Sequence, residues 1–171
     1  MISYKKNMKP RMIIVDEHDN VIGHKYREDE KPDDIYRVSA LWITNSKGDI
    51  LLAKRHRNKK HDPGKWGPAV AGTVDEGETY EQNIIKEAEE ELGLKNIKPT
   101  LGPKTAPYGQ YKYFTQWFTL KIDKPASELI FQEDEVEEIK WFTKKELLES
   151  LQKHPEKFLP KMPRYIGLFL S

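Results

Sequence analysis

The sequence predicts an α+β or mixed α/β domain. Segments rich in β-branched and aromatic residues recur along the chain, two capped helical segments interrupt them, and 171 residues at 37% hydrophobic content suit one core of ordinary size. Met12 to Val15 and Val21 to His24 flank the turn-forming run DEHDN and read as a small hairpin. The charged stretch from Arg27 to Asp34 is a connector. Val38 to Thr44 and Ile50 to Lys54 bracket Asn45-Ser46-Lys47-Gly48-Asp49 as a second hairpin. Arg55 to Gly67 is basic and turn-rich, and Pro68 to Gly72 reads as a short buried strand. Tyr111 to Ile122 and Glu135 to Phe142 are longer strands beside the acidic loop FQEDE. Thr143 with Glu146 caps a closing helix that stops before Pro155. The ending YIGLFL is apolar enough to require cover, from the domain itself or from a second copy.

The most informative stretch is residues 72–94, GTVDEGETYEQNIIKEAEEELGL. Thr79 followed by Gln82 is a capping box, and Gly93 stands where helices end in a left-handed residue, so a helix is expected from about Tyr80 to Leu92. At about 100° per residue, Ile84, Ile85, Ala88 and Leu92 form an apolar stripe. Glu87, Glu90 and Glu91, at i, i+3 and i+4, form an acidic ridge beside it. Their like-charge neighbours cost roughly 0.2–0.5 kcal/mol per pair, a penalty that a cation would remove. Hard oxygen donors of this kind suit Mg²⁺ or Mn²⁺, whose shells are commonly completed by phosphate oxygens, so a phosphate compound is the expected substrate.

These residues resemble the signature of the Nudix hydrolases: Gly, five residues, Glu, seven residues, then Arg-Glu-apolar-any-Glu-Glu-any-Gly-apolar. Gly72, Glu78, Glu87, Glu90, Glu91 and Gly93 match in register, and Ala88 and Leu94 fill the apolar places. Lys86 stands where the family has arginine. The resemblance covers roughly Arg37 to His154 and implies an α/β/α sandwich around a mixed sheet. It makes the whole chain, 1–171, a single Nudix domain with an N-terminal hairpin extension (about 10–30) and a C-terminal tail (about 155–171). It further implies divalent-metal-dependent cleavage of a phosphoanhydride in a nucleoside diphosphate linked to another moiety, or in a related diphosphate.

In that reading Glu87, Glu90 and Glu91 hold Mg²⁺ or Mn²⁺, and Glu78, Glu87 and Glu90 are the catalytic carboxylates. Lys86 orients Glu78 through a single charge-assisted contact, since lysine lacks the planar fork of arginine. Some relatives take the general base from a loop outside the signature, and Glu133, Asp134 and Glu135 are the residues here that match. Arg37, Arg55 and Lys65, with Lys54 and Arg57, are candidates to offset phosphate charge, beside Gly72 of the signature turn. Tyr111, Tyr113 and Trp117 alternate along one strand and are read as core packing before base stacking. Trp66 is read as structural.

A formal net charge of +1 provides no field for a nucleic acid polymer, and no apolar run approaches a membrane span. The N-terminus lacks the apolar stretch of a signal peptide, and there is no cysteine, so cytoplasmic residence is expected. The partner expected is a small-molecule diphosphate, bound by a monomer or homodimer. Two other readings compete. VDEHDNVIG resembles the opening of isopentenyl-diphosphate isomerases, which share the fold but use a catalytic cysteine that this chain lacks. A non-catalytic metabolite sensor on the same fold is the other, with Lys86 as its support.

Overall fold

The computed structural model describes residues 9–170. Its organising element is β3 (Ile35–Thr44), and its one edge is shared in succession by three strands: β1 (Met12–Val15) at Ile35 and Tyr36, β6 (Val70–Thr73) from Val38 to Leu41, and β4 (Ile50–Arg55) at Ile43 and Thr44. The other edge pairs in parallel with β8 (Tyr113–Lys121) from Tyr36 to Thr44. Antiparallel β2 (Val21–Lys25) extends β1, β5 (Trp66–Pro68) and β9 (Val136–Phe142) flank β4, and β7 (Thr100–Thr105) lies outside β8. The sheet is therefore mixed.

Strand alternation assigns the two faces of β3 to two cores. Leu41 and Ile43 pack with Ile84, Ala88 and Leu92 of α1 (Tyr80–Leu92). Ala40 and Trp42 pack on the other face with Leu147 of α2 (Lys144–Lys153) and with Met162, Tyr165 and Ile166 of α3 (Met162–Phe169). This is the expected α/β/α sandwich. α1 forms as its capping residues require: Thr79 Oγ1 accepts from the Gln82 amide at 3.1 Å, Gln82 Oε1 accepts from the Thr79 amide at 2.9 Å, and Gly93 closes the helix at φ 65°. At α2 only half the box forms, because the Glu146 side chain turns instead to Lys140 at 2.6 Å.

Four local expectations change. The second hairpin pairs only at Ile43/Leu51 and Thr44/Ile50, after which β6 takes the β3 edge and β5 takes that of β4. Pro68 to Gly72 is not one strand but the junction of β5 and β6. β3 begins three residues earlier than expected. β7 went unforeseen, since Gly102 and Pro103 interrupt its pattern and its pairing slips between Leu101 and Lys104.

The N-terminal hairpin supports the signature turn directly. Arg11 makes a two-pronged contact to Glu76, both distances 2.7 Å, and its carbonyl accepts from the Glu76 amide at 2.8 Å. At the other end of the chain the apolar tail packs on the domain itself: Met162 and Tyr165 are buried, and Phe169 stacks on Trp42 at 4.7 Å between ring centroids. Truncation after Lys161 should uncover Trp42 and Trp117 and cost at least about 4 kcal/mol, a fall of about 10 °C or more in melting temperature. An unchanged thermal melt of the truncated chain would show that the tail is dispensable.

Candidate active site

A groove of about 540 Å³ runs past β6, with the acidic face of α1 on one side and the Tyr36, Val38 and Ala40 face of β3 on the other. A shallower depression of about 600 Å³ beyond the acidic loop contains none of the signature residues. Glu87 and Glu91 line the groove together with Asp75 and Glu135. Glu87 lies directly against the β6 backbone. A Cβ built on Gly72 would fall 2.5 Å from Glu87 Cδ and 2.7 Å from its Oε1, so only glycine at this position lets the carboxylate settle there.

Desolvation in the groove pushes the Glu87 carboxyl up to about 7, with the charges of Glu90 and Asp75 adding to it and Lys86 opposing. Desolvation, then the charge of Glu87, pushes Glu91 up to about 8 against the stabilising Ala71 amide. Two such carboxyls side by side form a centre in need of positive charge. Glu90, expected with them, is exposed and does not line the groove. Among the described residues, no three His, Asp or Glu side chains converge closely enough to enclose an ion.

Glu78 is tied down at both oxygens. Lys86 Nζ donates to Oε1 at 2.5 Å, while Asn83 Nδ2 at 2.9 Å and the Asp75 amide at 3.1 Å donate to Oε2. Desolvation works against the Glu78 carboxylate, yet the hydrogen bonds from Lys86 and Asn83 hold it below the usual range. Lys86 also reaches Asp75 at 3.3 Å. Asn83, fully buried, completes the lock by donating to the Thr73 carbonyl at 3.0 Å and accepting from the Ser39 hydroxyl. Sequence reasoning passed over Asn83 and Ser39. The signal available was a polar residue adjoining the apolar stripe of α1, which buries only when its hydrogen bonds are met.

The expected phosphate-binding set divides. Arg55 lines the groove, its Nε donating to the His61 carbonyl at 3.0 Å. Arg37 does not reach it: the side chain leaves β3 on the α1 face, where Asp19 holds Nε at 2.7 Å and Tyr80 lies beneath the guanidinium. Lys65 also lies outside the groove, near Asp62 at 3.8 Å, while Lys54 and Arg57 pair with Glu137. Arg27 and Lys59 line the groove in their place. Of the acidic-loop residues only Glu135 does so. Tyr111, Tyr113 and Trp117 line it as well. Trp117 is at the same time fully buried, and Tyr111 reaches His61 Nδ1 at 2.6 Å, so the wall and the core are one structure here. Trp66 packs edge-on against Phe142, a structural place as expected.

A sandwich of this topology with a glycine-backed glutamate pair at the end of a capped turn defines a class, and comparison with known proteins agrees. The NUDIX domain family matches residues 35–162, and the chain belongs to the Nudix family. An uncharacterised Nudix hydrolase of Listeria monocytogenes is 31% identical over 149 residues, 86% of each chain. The isopentenyl-diphosphate Delta-isomerase of Klebsiella pneumoniae is 27% identical over 159 residues, 88% of this chain and 85% of that one. The crystal structure of DR0079 from Deinococcus radiodurans superposes with a TM-score of 0.83 at 24% identity, covering 94% of this chain and 99% of that one, and shares the fold. Within the family, this protein is a Nudix pyrophosphohydrolase.

Proposed function

We propose that the protein hydrolyses a phosphoanhydride bond in a nucleoside diphosphate linked to a second group, or in a related small diphosphate, with Mg²⁺ or Mn²⁺ held at the acidic face of α1. The observation that carries this is the pair Glu87 and Glu91, two carboxyls driven upward first by desolvation and then by neighbouring carboxylates, in a groove that Arg27, Arg55 and Lys59 also line. Their oxygen donors fit a hard divalent ion. Glu87 and Glu91 are the side chains that would hold it, and Glu90, exposed outside the groove lining, would join them only by reaching in from solvent. Bound there, such an ion lowers the pKa of water and offsets charge on the phosphoryl oxygens.

The chain's own groups supply the rest. Glu135, the acidic-loop carboxylate in the groove, takes the proton from the attacking water as a new P–O bond forms and the bridging P–O bond breaks, the leaving phosphate carrying away the electron pair. Arg27 and Arg55 face the phosphate charge. Tyr111, Tyr113 and Tyr165 wall the end that receives the organic group. Glu78 serves as a positioning residue, not as the base, because both of its oxygens are already engaged.

Hydrolysis of a panel of nucleotide sugars, dinucleotides, nucleoside triphosphates and prenyl diphosphates, followed by chromatography of the phosphomonoester and phosphate products, with Mg²⁺ or Mn²⁺ and with EDTA as control, tests this reading. Metal-dependent turnover of at least one class is expected. Binding without hydrolysis of any member of the panel, or isomerisation of isopentenyl diphosphate by this cysteine-free chain, would overturn it. On the substrate so found, Lys86→Arg should keep or raise kcat/KM, since a fork can hold Glu78 and Asp75 together, and Lys86→Ala should lower it about tenfold or more. Equal values across the three proteins would make Lys86 a plain surface charge.

A further inference from the structure

The groove contains a cation of its own beside its acids. Lys59 forms an ion pair with Glu135, and both line the groove with Glu87 and Glu91. The ammonium's charge also reaches Glu91. The placement is built into the backbone: the Lys59 amide donates to the His56 carbonyl at 3.1 Å, and the His56 amide donates to the Glu135 carbonyl at 3.0 Å, so the turn carrying the lysine is fastened to the residue that its side chain grips. The two arginines lining the groove are engaged differently, Arg27 with the Thr73 hydroxyl and Arg55 with the His61 carbonyl.

A divalent ion drawn to Glu87 and Glu91 would meet this ammonium as a like charge, and Glu135 would gain a stronger partner than lysine. The long lysine side chain has a destination on release, because a diphosphate in the same groove offers oxygens to a mobile point charge. We propose that Lys59 is an internal counter-ion that occupies the acid cluster before metal and diphosphate arrive, then exchanges Glu135 for a phosphate oxygen. It thereby sets both the metal affinity and the order in which the groove fills. This rests on the hydrolase reading above and adds a positioning residue that the signature does not contain.

The test uses the full chain, Mn²⁺ titrated calorimetrically into metal-free protein, and inorganic pyrophosphate titrated into the Mn²⁺-loaded protein. Lys59→Gln should bind Mn²⁺ roughly tenfold more tightly than wild type, because one unit of competing charge is gone, and should bind pyrophosphate roughly tenfold more weakly. Lys59→Arg, which keeps the charge, should stay near wild type in the metal titration. Glu135→Gln, which frees the ammonium but removes an acid, should weaken Mn²⁺ binding. Unchanged or weaker Mn²⁺ affinity in Lys59→Gln, with wild type binding normally, would overturn the proposal alone. A wild-type protein that binds no Mn²⁺ would overturn the metal reading of the groove and this proposal with it.

Discussion

Glu91→Gln should abolish hydrolysis while making the metal-free protein more stable at alkaline pH. Both effects come from one carboxyl held against its own charge. With its folded pKa raised to about 8, above an unfolded value of about 4.3, the native state binds more protons than the unfolded chain between those limits. Glu91 therefore stabilises the fold at acid pH, and that contribution is lost as pH rises through the folded pKa. Glutamine has no proton to lose and does not repel Glu87. In EDTA the variant should melt with wild type near pH 4.5 and about 10 °C or more above it near pH 9, the rise from about 4.3 to about 8 corresponding to a gap of up to about 5 kcal/mol. With metal present, kcat/KM should fall by at least about 10³-fold. A melting difference that does not grow with pH, or wild-type hydrolysis by the variant, would remove Glu91 from the centre.

Gly72→Ala is expected to disable the enzyme with little loss of stability. The three atoms nearest the added methyl all belong to the Glu87 side chain: Cδ and Cγ, both 2.5 Å away, and Oε1 at 2.7 Å. The far end of a flexible glutamate side chain that still reaches the groove can swing aside at small cost, so the fold should lose no more than about 1 kcal/mol. What moves is the carboxylate that the β6 backbone had fixed, and misplacement by about 1 Å at a reacting centre costs on the order of 10²-fold in rate. Divalent-metal titration and thermal melting, run side by side, separate the outcomes. A variant that unfolds, or one that binds metal and turns over normally, would refute this account of the glycine.

How far the sequence revealed the site depended on whether the information was local. The limits of α1, its cap and its terminating glycine were legible because Thr79, Gln82 and Gly93 act within a few residues of themselves. The contact of Lys86 with Glu78 was legible for the same reason. Arg37 was misplaced because the phase of a strand decides everything: its neighbours Tyr36 and Val38 face the groove, so Arg37 faces α1 and falls to Asp19, a turn residue from the first hairpin. Lys59 and Arg27 lie on connections whose paths are set by distant elements, and no periodicity marks them; Glu135 was reached only through the family resemblance, as one of three acidic-loop candidates. Tyr165 enters the groove from a tail that reads only as apolar, and lies beyond the residues matched to the family.

The parallel pairing of β3 with β8 has a kinetic consequence. The groove floor is made where Tyr36 meets Tyr113, Val38 meets Thr115 and Ala40 meets Trp117, residues separated by more than a third of the chain. A contact of that span is reached only after a long loop has closed, whereas α1 with its cap can assemble from neighbours alone. The acidic ridge should therefore take shape before the cleft it serves, and the nascent chain would pass through a stage in which bare carboxylates face solvent with no floor beneath them.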